Sequence, residues 1–145
     1  MVLVIGSKSW QTNNADMEVK QELRKAIAWL KDDLIQGGFA TVVGVPADGN
    51  PYTSITFNKA AGVSNGSVVW SATPIQYIRG GTGSTQLLRI AGGQTKVIAQ
   101  DIQTLNFRRQ NSSPNVVEVT VQCQKSSAQS PGVSVSSVFK VNMRN

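Results

Sequence analysis

The chain is poor in the residue types on which most catalytic and metal sites depend. It has no histidine and a single cysteine, Cys123, among its 145 residues. A histidine-dependent triad, an intrachain disulfide and a cysteine-cluster metal site are therefore excluded. An enzyme would instead need a serine–lysine or a carboxylate pair, and no spacing in the chain suggests either. We predict no catalytic residue, no metal site and no cofactor, and a buried structural role for Cys123.

Two short segments resemble ligand-binding loops without completing the pattern. Residues 79–85 read RGGTGST, but no helix follows them and the Lys-Ser/Thr ending of a P-loop is missing. Residues 48–50, Asp-Gly-Asn, lack the repeated oxygen ligands of a calcium loop. Both segments are predicted to be turns.

The charge of the chain points to a surface property. The formal net charge is +6, and the excess of basic residues lies mainly after Gly38. Such a surface suits nucleic acid, anionic lipid or an acidic protein, although scattered basic residues also serve solubility alone. No interleaving of aromatic and basic residues marks a platform for stacked bases. The residues of the candidate basic head surface are Lys59, Arg79, Lys96, Arg108 and Arg109.

One helical pattern, residues 15–36, must organise the rest of the chain. Its apolar residues recur at spacings of three and four, which places them on one stripe of a helix packed against a sheet. Propensity alone starts this helix near Asn14. Gly37 or Gly38 is predicted to end it with a left-handed residue. The helix stripe consists of Val19, Leu23, Ile27, Leu30 and Leu34.

After Gly38 the sequence reads as strands and turns. The pattern is clearest in residues 116–125 and 133–144, where apolar and polar side chains alternate as in a sheet with one face in water. We predict an α+β fold in which a long N-terminal helix packs against antiparallel β-sheet. Residues 1–38 would form the helix and residues 39–145 a β-rich head, together one structural domain.

Specific segments resemble the type IV pilin-like proteins, and most of all the minor pseudopilins of type II secretion, the J type in particular. The helix resembles their periplasmic pattern Leu-Arg-x-Ala-x-x-x-Leu-x-x-Asp-Leu at residues 23–34. The segments LLRIAGGQTKVIAQDIQTLNFRR, NVVEVTVQCQK and FKVNMRN resemble the family's sheet and its last strand. The resemblance covers most of the chain, although residues 39–80 add little to it.

The resemblance implies a fold with a helix that continues from the membrane, so that the helix could begin near Ile5. The family's leader, its glutamate at mature position five and its apolar membrane helix are not in this sequence, and residues 1–5 would be the tail of that helix. The implied protein is a non-enzymatic subunit at the pseudopilus tip, a periplasmic domain anchored in the bacterial inner membrane. Its partners would be other minor pseudopilins or pilins, which it would contact through Val2, Val4, Ile5, Trp10 and Trp29.

The alternative is a minor pilin of a type IV pilus. In that protein the basic head would bind DNA or another surface polymer, and the binding would weaken steeply with salt.

Overall fold

The structure is a computed structural model that describes residues 2–127 and 130–144, with side chains described for residues 16–125 and 132–144. Helix α1 spans Val2–Gln36, and a short 3-10 turn, Phe39–Thr41, follows it. Nine strands complete the described part: β1 Ser54–Phe57, β2 Ala60–Ser64, β3 Ser67–Trp70, β4 Ile75–Gly80, β5 Gln86–Ala91, β6 Gln94–Ala99, β7 Ile102–Gln110, β8 Ser113–Ser127 and β9 Ser130–Asn142.

Within the described residues the strands form three antiparallel sheets. The four-stranded sheet has the order β1-β4-β5-β6, the three-stranded sheet has the order β7-β8-β9, and β2-β3 is a separate hairpin. Tyr52, just before β1, exchanges two backbone hydrogen bonds of 2.7 and 2.8 Å with Phe107 of β7. The two larger sheets therefore meet at this point. Helix α1 contacts β8 and β9 of one sheet and β6 of the other.

The predicted fold class is wrong. The described chain is mostly β, with three antiparallel sheets, and is not a long helix packed on a sheet. The part of α1 with described side chains, residues 16–36, is a helix of about 21 residues that lies at the junction of two sheets. The prediction underestimated the share of residues in strands. Because the hairpin turns are short, most of the chain after the helix lies in strands. In the β7–β8 hairpin only Asn111 and Ser112 separate the strands.

The core is shared by the helix and both larger sheets. Val117, Val119, Val121 and Cys123 of β8 are fully buried, as their strict alternation requires of an inner sheet face. Helix residues and residues of β1, β4 and β7 belong to the same apolar cluster. The amino-terminal helix and the β-rich part therefore bury one continuous core.

The two glycines after α1 are needed for close packing. A Cβ on Gly37 would lie 2.5 Å from Cδ2 of Phe57, and one on Gly38 would lie 2.7 Å from the ring of Trp70. Gly38 has a φ of −89°, and Gly37 does not have a positive φ. The predicted left-handed ending is therefore wrong. Instead, the backbone at Gly38 donates to the carbonyl of Asn58, and Arg144 donates to the carbonyl of Gly37.

The helix also begins earlier than propensity predicts. It starts at Val2 and passes without a break through residues 12–14, Thr-Asn-Asn. Each of these residues costs a helix at most about 0.7 kcal/mol relative to alanine, which is too little to end a long helix by itself. The start near Asn14 is therefore wrong.

Candidate interaction site at the helix–sheet junction

The helix stripe faces the core along most of its length. Val19, Leu30 and Leu34 are fully buried, Leu23 packs against the core cluster while partly buried, and Ile27 is half-buried. Ala26 is also fully buried between Leu23 and Leu30. The small side chain of Ala26 lets the helix backbone approach the sheets.

A buried carboxylate connects the helix to the four-stranded sheet. Asp33 is only 2% exposed and lies on the side of the helix that faces the sheets. Its Oδ2 accepts a hydrogen bond of 2.6 Å from Nε of Arg89, on β5, and a short one from the hydroxyl of Tyr77, on β4. Its Oδ1 accepts a bond of 3.0 Å from Nζ of Lys59, just before β2. We call Asp33, Lys59, Tyr77 and Arg89 the Asp33 cluster.

The Asp33 cluster keeps its carboxylate ionised. Burial by itself would raise the pKa of Asp33, but the hydrogen bonds from Arg89, Tyr77 and Lys59 together hold the pKa below the ordinary 3.8. Burial, followed by the bond to Asp33, raises the pKa of Tyr77, so the phenol stays protonated and donates. The bond to Asp33 also raises the pKa of Arg89. One carboxylate and two cations form a fixed, directional clamp.

Sequence reasoning missed this cluster, although a signal for it was present. Asp33 continues a seam that runs through Val19, Leu23, Ala26 and Leu30 at alternating spacings of four and three, so its side chain had to face inward. Arg89 stands between Leu87 and Ala91 on the inner face of β5. An acid and a base on facing apolar surfaces are expected to pair, because an isolated buried charge is very costly.

Trp29 packs against basic residues of its own chain. The ammonium of Lys96 lies 4.3 Å from the centroid of the Trp29 ring, and the guanidinium of Arg89 lies 5.6 Å from it. These are cation–π contacts, and they join the helix to β5 and β6. The other predicted partner-helix residues belong to the amino-terminal part of α1, and their side chains lie outside the described ones: Val2, Val4, Ile5 and Trp10.

Two members of the predicted basic head surface are held by other groups of the chain. Arg109 is 8% exposed, and its guanidinium donates to the carbonyls of Val45 and Pro114, both at 2.8 Å. Burial lowers the pKa of Arg109. The ammonium of Lys59 is bound to Asp33, as described above. The prediction of a surface position is wrong for Arg109, which is buried, whereas Lys59 is half-buried and paired.

The other three predicted basic residues have different contacts. Arg79 is exposed and donates to the carbonyl of Gln103, Lys96 is exposed beside Trp29, and Arg108 is half-buried, 3.9 Å from Glu118. Arg79 and Lys96 belong to the four-stranded sheet and Arg108 to the three-stranded sheet.

A second set of contacts holds the preceding turns of the helix. Lys125 of β8 forms an ion pair with Glu18, and this bond raises the pKa of Lys125. Glu22 accepts a hydrogen bond of 3.0 Å from the backbone N–H of Gln100, just after β6. Side chains of α1 therefore bind the three-stranded sheet through Glu18 and the four-stranded sheet through Glu22 and Asp33.

The side chains that could react or bind an ion, Cys123 and Asp48, have structural roles. Cys123 is fully buried, and burial raises the pKa of its thiol to about 12, which suits a packed core residue. Asp48 accepts hydrogen bonds from the backbone of Asn50 and from the hydroxyl of Tyr52, as in an Asx turn. Among the described residues no group of three or more histidine, cysteine or acidic side chains could hold a metal ion.

Comparisons of the chain with protein-family models, with curated proteins and with solved structures find no match. Within the part of the chain that the structure describes, no helix combines the length and apolar character needed to cross a bilayer. Function must therefore be argued from the residues and their contacts.

Proposed function

We propose that the chain is a non-enzymatic structural subunit of a pilus-like assembly, a minor pseudopilin at the pseudopilus tip of a type II secretion system. In this proposal it acts in the periplasm, anchored in the bacterial inner membrane, together with other minor pseudopilins or pilins. The observation that carries the proposal is the Asp33 cluster, which ties a helix with an apolar amino end rigidly to a β-rich head.

A subunit of a pilus-like assembly must transmit force from its helix to its head, and the helix must not shift or rotate relative to the sheets. Apolar packing alone resists separation, but it is non-directional and opposes rotation of a helix only weakly. The three hydrogen bonds to Asp33 come from β4, β5 and the residue before β2, and they are directional. They therefore fix both the position and the rotation of α1.

The sequence of the helix indicates that its two ends have different roles. Residues 16–36 bind the head, whereas the run Val2 to Ile5 and Trp10 would pack against helices of neighbouring subunits. Because α1 is continuous from Val2 to Gln36, a load applied at the amino end would reach the Asp33 cluster through one rigid element.

The experiment is carried out in the source bacterium with a tagged copy of the gene. We expect the wild-type protein to co-purify with pilin-like proteins encoded beside it, and Ile5→Lys to reduce this recovery at least about tenfold, since a buried lysine costs more than 1.4 kcal/mol. Met17→Lys is the matched control, because Met17 is 60% exposed on the same helix. It should leave recovery unchanged.

Secretion supplies the second readout. Deletion of the gene should stop the export of folded exoproteins, and the Met17→Lys copy should restore it while the Ile5→Lys copy does not. The proposal fails if the deletion strain secretes normally and the wild-type protein recovers no pilin-like protein.

The alternative of a DNA-binding or polymer-binding head has less support. Two of its five basic residues, Lys59 and Arg109, are engaged inside the molecule, and the others are divided between two sheets.

A further inference from the structure

Strand β9 is the last strand of the three-stranded sheet, and only its β8 side is paired. The β8–β9 register runs from Val133 to Asn142 without a shift. Because alternate residues of an antiparallel strand direct their N–H and C=O groups to opposite sides, about half of these groups point away from β8. Pro131 removes a donor only at the start of the strand. Among the described backbone hydrogen bonds outside the strand pairs, none involves residues 132–142. We call this side of residues 132–142 the β9 edge.

The outer edges of β1 and β7 are, by contrast, bound by the chain itself. Val43 exchanges two backbone hydrogen bonds of 2.7 and 3.0 Å with Thr56 of β1, and Tyr52 does the same with Phe107 of β7. An unbound edge pairs readily with another extended chain, and proteins usually protect it with charged side chains or a covering segment. The single charged residue of β9 is Lys140, near its end. The β9 edge is therefore suited to accept a further strand.

Helix α1 runs beside β9 in the same direction. Glu18 is paired with Lys125, which lies opposite Val133 in the β8–β9 register. At the other end, Gly38 forms a parallel bridge with Arg144. The helical path between the first and last of these contacts is roughly 30 Å long, and the strand path is roughly 36 Å long. The helix therefore follows β9 along most of its length.

The contacts of α1 identify which of its sides lies next to the β9 edge. Asp33 and Trp29 face the four-stranded sheet, which meets the three-stranded sheet at β7, on the far side from β9. Lys31 is two residues from each, and since each residue turns the helix by about 100°, it lies on the opposite side of the helix. Its ammonium is 5.2 Å from the centroid of the Phe139 ring, on β9. The Lys31 side is therefore the one next to the β9 edge.

Basic residues line this side of the helix. Arg24 precedes Lys31 by about two turns and Lys20 precedes Arg24 by about one, so the three share one side. All three are exposed. Asp16 pairs with Lys20 at 2.9 Å, whereas no ion pair among the described side chains involves Arg24 or Lys31. We call Lys20, Arg24 and Lys31 the basic row.

We propose that the β9 edge binds an extended acidic segment of a partner protein, which adds to the sheet as an antiparallel fourth strand. Its backbone would pair with β9, and its acidic side chains, all on one face, would meet the basic row. Along the helix axis the basic row is spaced by about 6 and 10 Å, within reach of carboxylates that recur about every 7 Å on one face of a strand. Apolar side chains on the other face would lie beside Val138, which is 61% exposed.

Charge and hydrogen bonding together decide the occupant. Two copies paired antiparallel through this edge would place both basic rows on the same face of the joint sheet, where like charges repel. Nucleic acid would match the charge, but phosphate oxygens only accept hydrogen bonds and would leave the carbonyl groups of the β9 edge unpaired. An acidic peptide supplies both donors and acceptors and neutralises the basic row. This inference goes beyond the proposed function and does not depend on it.

The test measures fluorescence anisotropy of labelled peptides with the purified full chain. The probe is a synthetic peptide of about nine residues in which valine and glutamate alternate. We expect it to bind at least about tenfold more tightly than the same peptide with lysine in place of glutamate. Arg24→Glu should weaken its binding about fivefold. The matched control is Lys25→Glu, the same change of charge at the next residue, which pairs with Glu22 on another side of the helix. It should change binding less than about twofold.

Methylation of the peptide amides separates strand addition from simple charge attraction. Alternate amides point to opposite edges of the added strand, so methyl groups on one set block the pairing with β9, while those on the other set point to solvent. We expect one methylated peptide to bind at least about tenfold more weakly and the other to bind like the unmodified peptide.

The proposal is overturned if the acidic peptide shows no binding at millimolar concentration, if Arg24→Glu and Lys25→Glu act equally, or if the two methylated peptides behave alike. It is also overturned if a DNA oligonucleotide binds more tightly than the acidic peptide, or if the chain forms a dimer that excludes the peptide.

Discussion

The four-stranded and three-stranded sheets distribute polar and apolar residues in opposite ways. In the three-stranded sheet the inner face is apolar, whereas the outer face carries a hydrogen-bonded row of Thr104, Gln122 and Ser134. In the four-stranded sheet the inner face includes Arg89, held by Asp33, and the outer face carries a row of Ile78, Leu88 and Val97 among uncharged polar residues. The outer face of the three-stranded sheet is typical of a surface in contact with water. The apolar row on the outer face of the four-stranded sheet is more typical of a sheet that is covered on both faces.

The two sheets therefore differ in the polar contacts that add to their apolar packing on the helix. The three-stranded sheet relies on apolar burial, with Phe139 and Val141 close to the helix and an exposed ion pair, Glu18–Lys125, at its margin. The four-stranded sheet shares the apolar core and adds the buried Asp33 cluster and the cations that lie over Trp29. Buried charge pairs are sensitive to the loss of one partner, while apolar packing loses stability gradually.

The largest predicted effect comes from removing the buried carboxylate. Asp33→Ala should lower the free energy of unfolding by about 3 kcal/mol, because it leaves Arg89 and Lys59 beside a buried gap without their counter-ion. Chemical denaturation measures the change. The matched control is Asp32→Ala, an exposed acid one residue earlier on the same helix, which should change the free energy by less than about 0.5 kcal/mol.

If Asp33→Ala and Asp32→Ala changed the free energy of unfolding equally, the proposed difference between the two sheets would be wrong. They would mean that the Asp33 cluster adds nothing beyond ordinary surface charge, and that the four-stranded sheet is held by packing alone.

Acid should weaken the same junction by a smaller amount. The pKa of Asp33 is lower in the folded chain than the ordinary 3.8, so the folded state binds this proton less readily than the unfolded state does. Its contribution is complete above about pH 5 and is lost as the pH falls below 3.8 and through the folded pKa. Protonated Asp33 still accepts hydrogen bonds, so the loss should be smaller than in Asp33→Ala.

The measurement is the free energy of unfolding as a function of pH for the wild type and for Asp33→Asn. The wild-type curve should fall more steeply than that of Asp33→Asn over the acidic range, since the amide cannot titrate there. Parallel curves would show that Asp33 has the same pKa in both states.

The same contrast explains which parts of the structure the sequence predicts. Residues 116–125 and 133–144 alternate, and their inner positions are predicted correctly from Val117 to Cys123 and from Val135 to Met143. Strands β4 and β5 have apolar residues on both faces, as at Leu87 and Leu88, and period-two reasoning cannot orient such a strand. The hydrogen bonds of Asp33 depend on residues 26 to 56 positions away, which local patterns do not encode.

The smallest predicted effects come from making the two outer faces alike. Leu88→Thr should lower the free energy of unfolding by about 1 kcal/mol, because Leu88 packs half-buried among its outer-face neighbours. Thr120→Val, on the polar outer face and opposite Val138, should change it by less than about 0.5 kcal/mol. Denaturation of both variants measures the pair. If Leu88→Thr costs no more than Thr120→Val, the row of Ile78, Leu88 and Val97 is an ordinary solvent-facing surface, and the difference between the two sheets is confined to their inner faces.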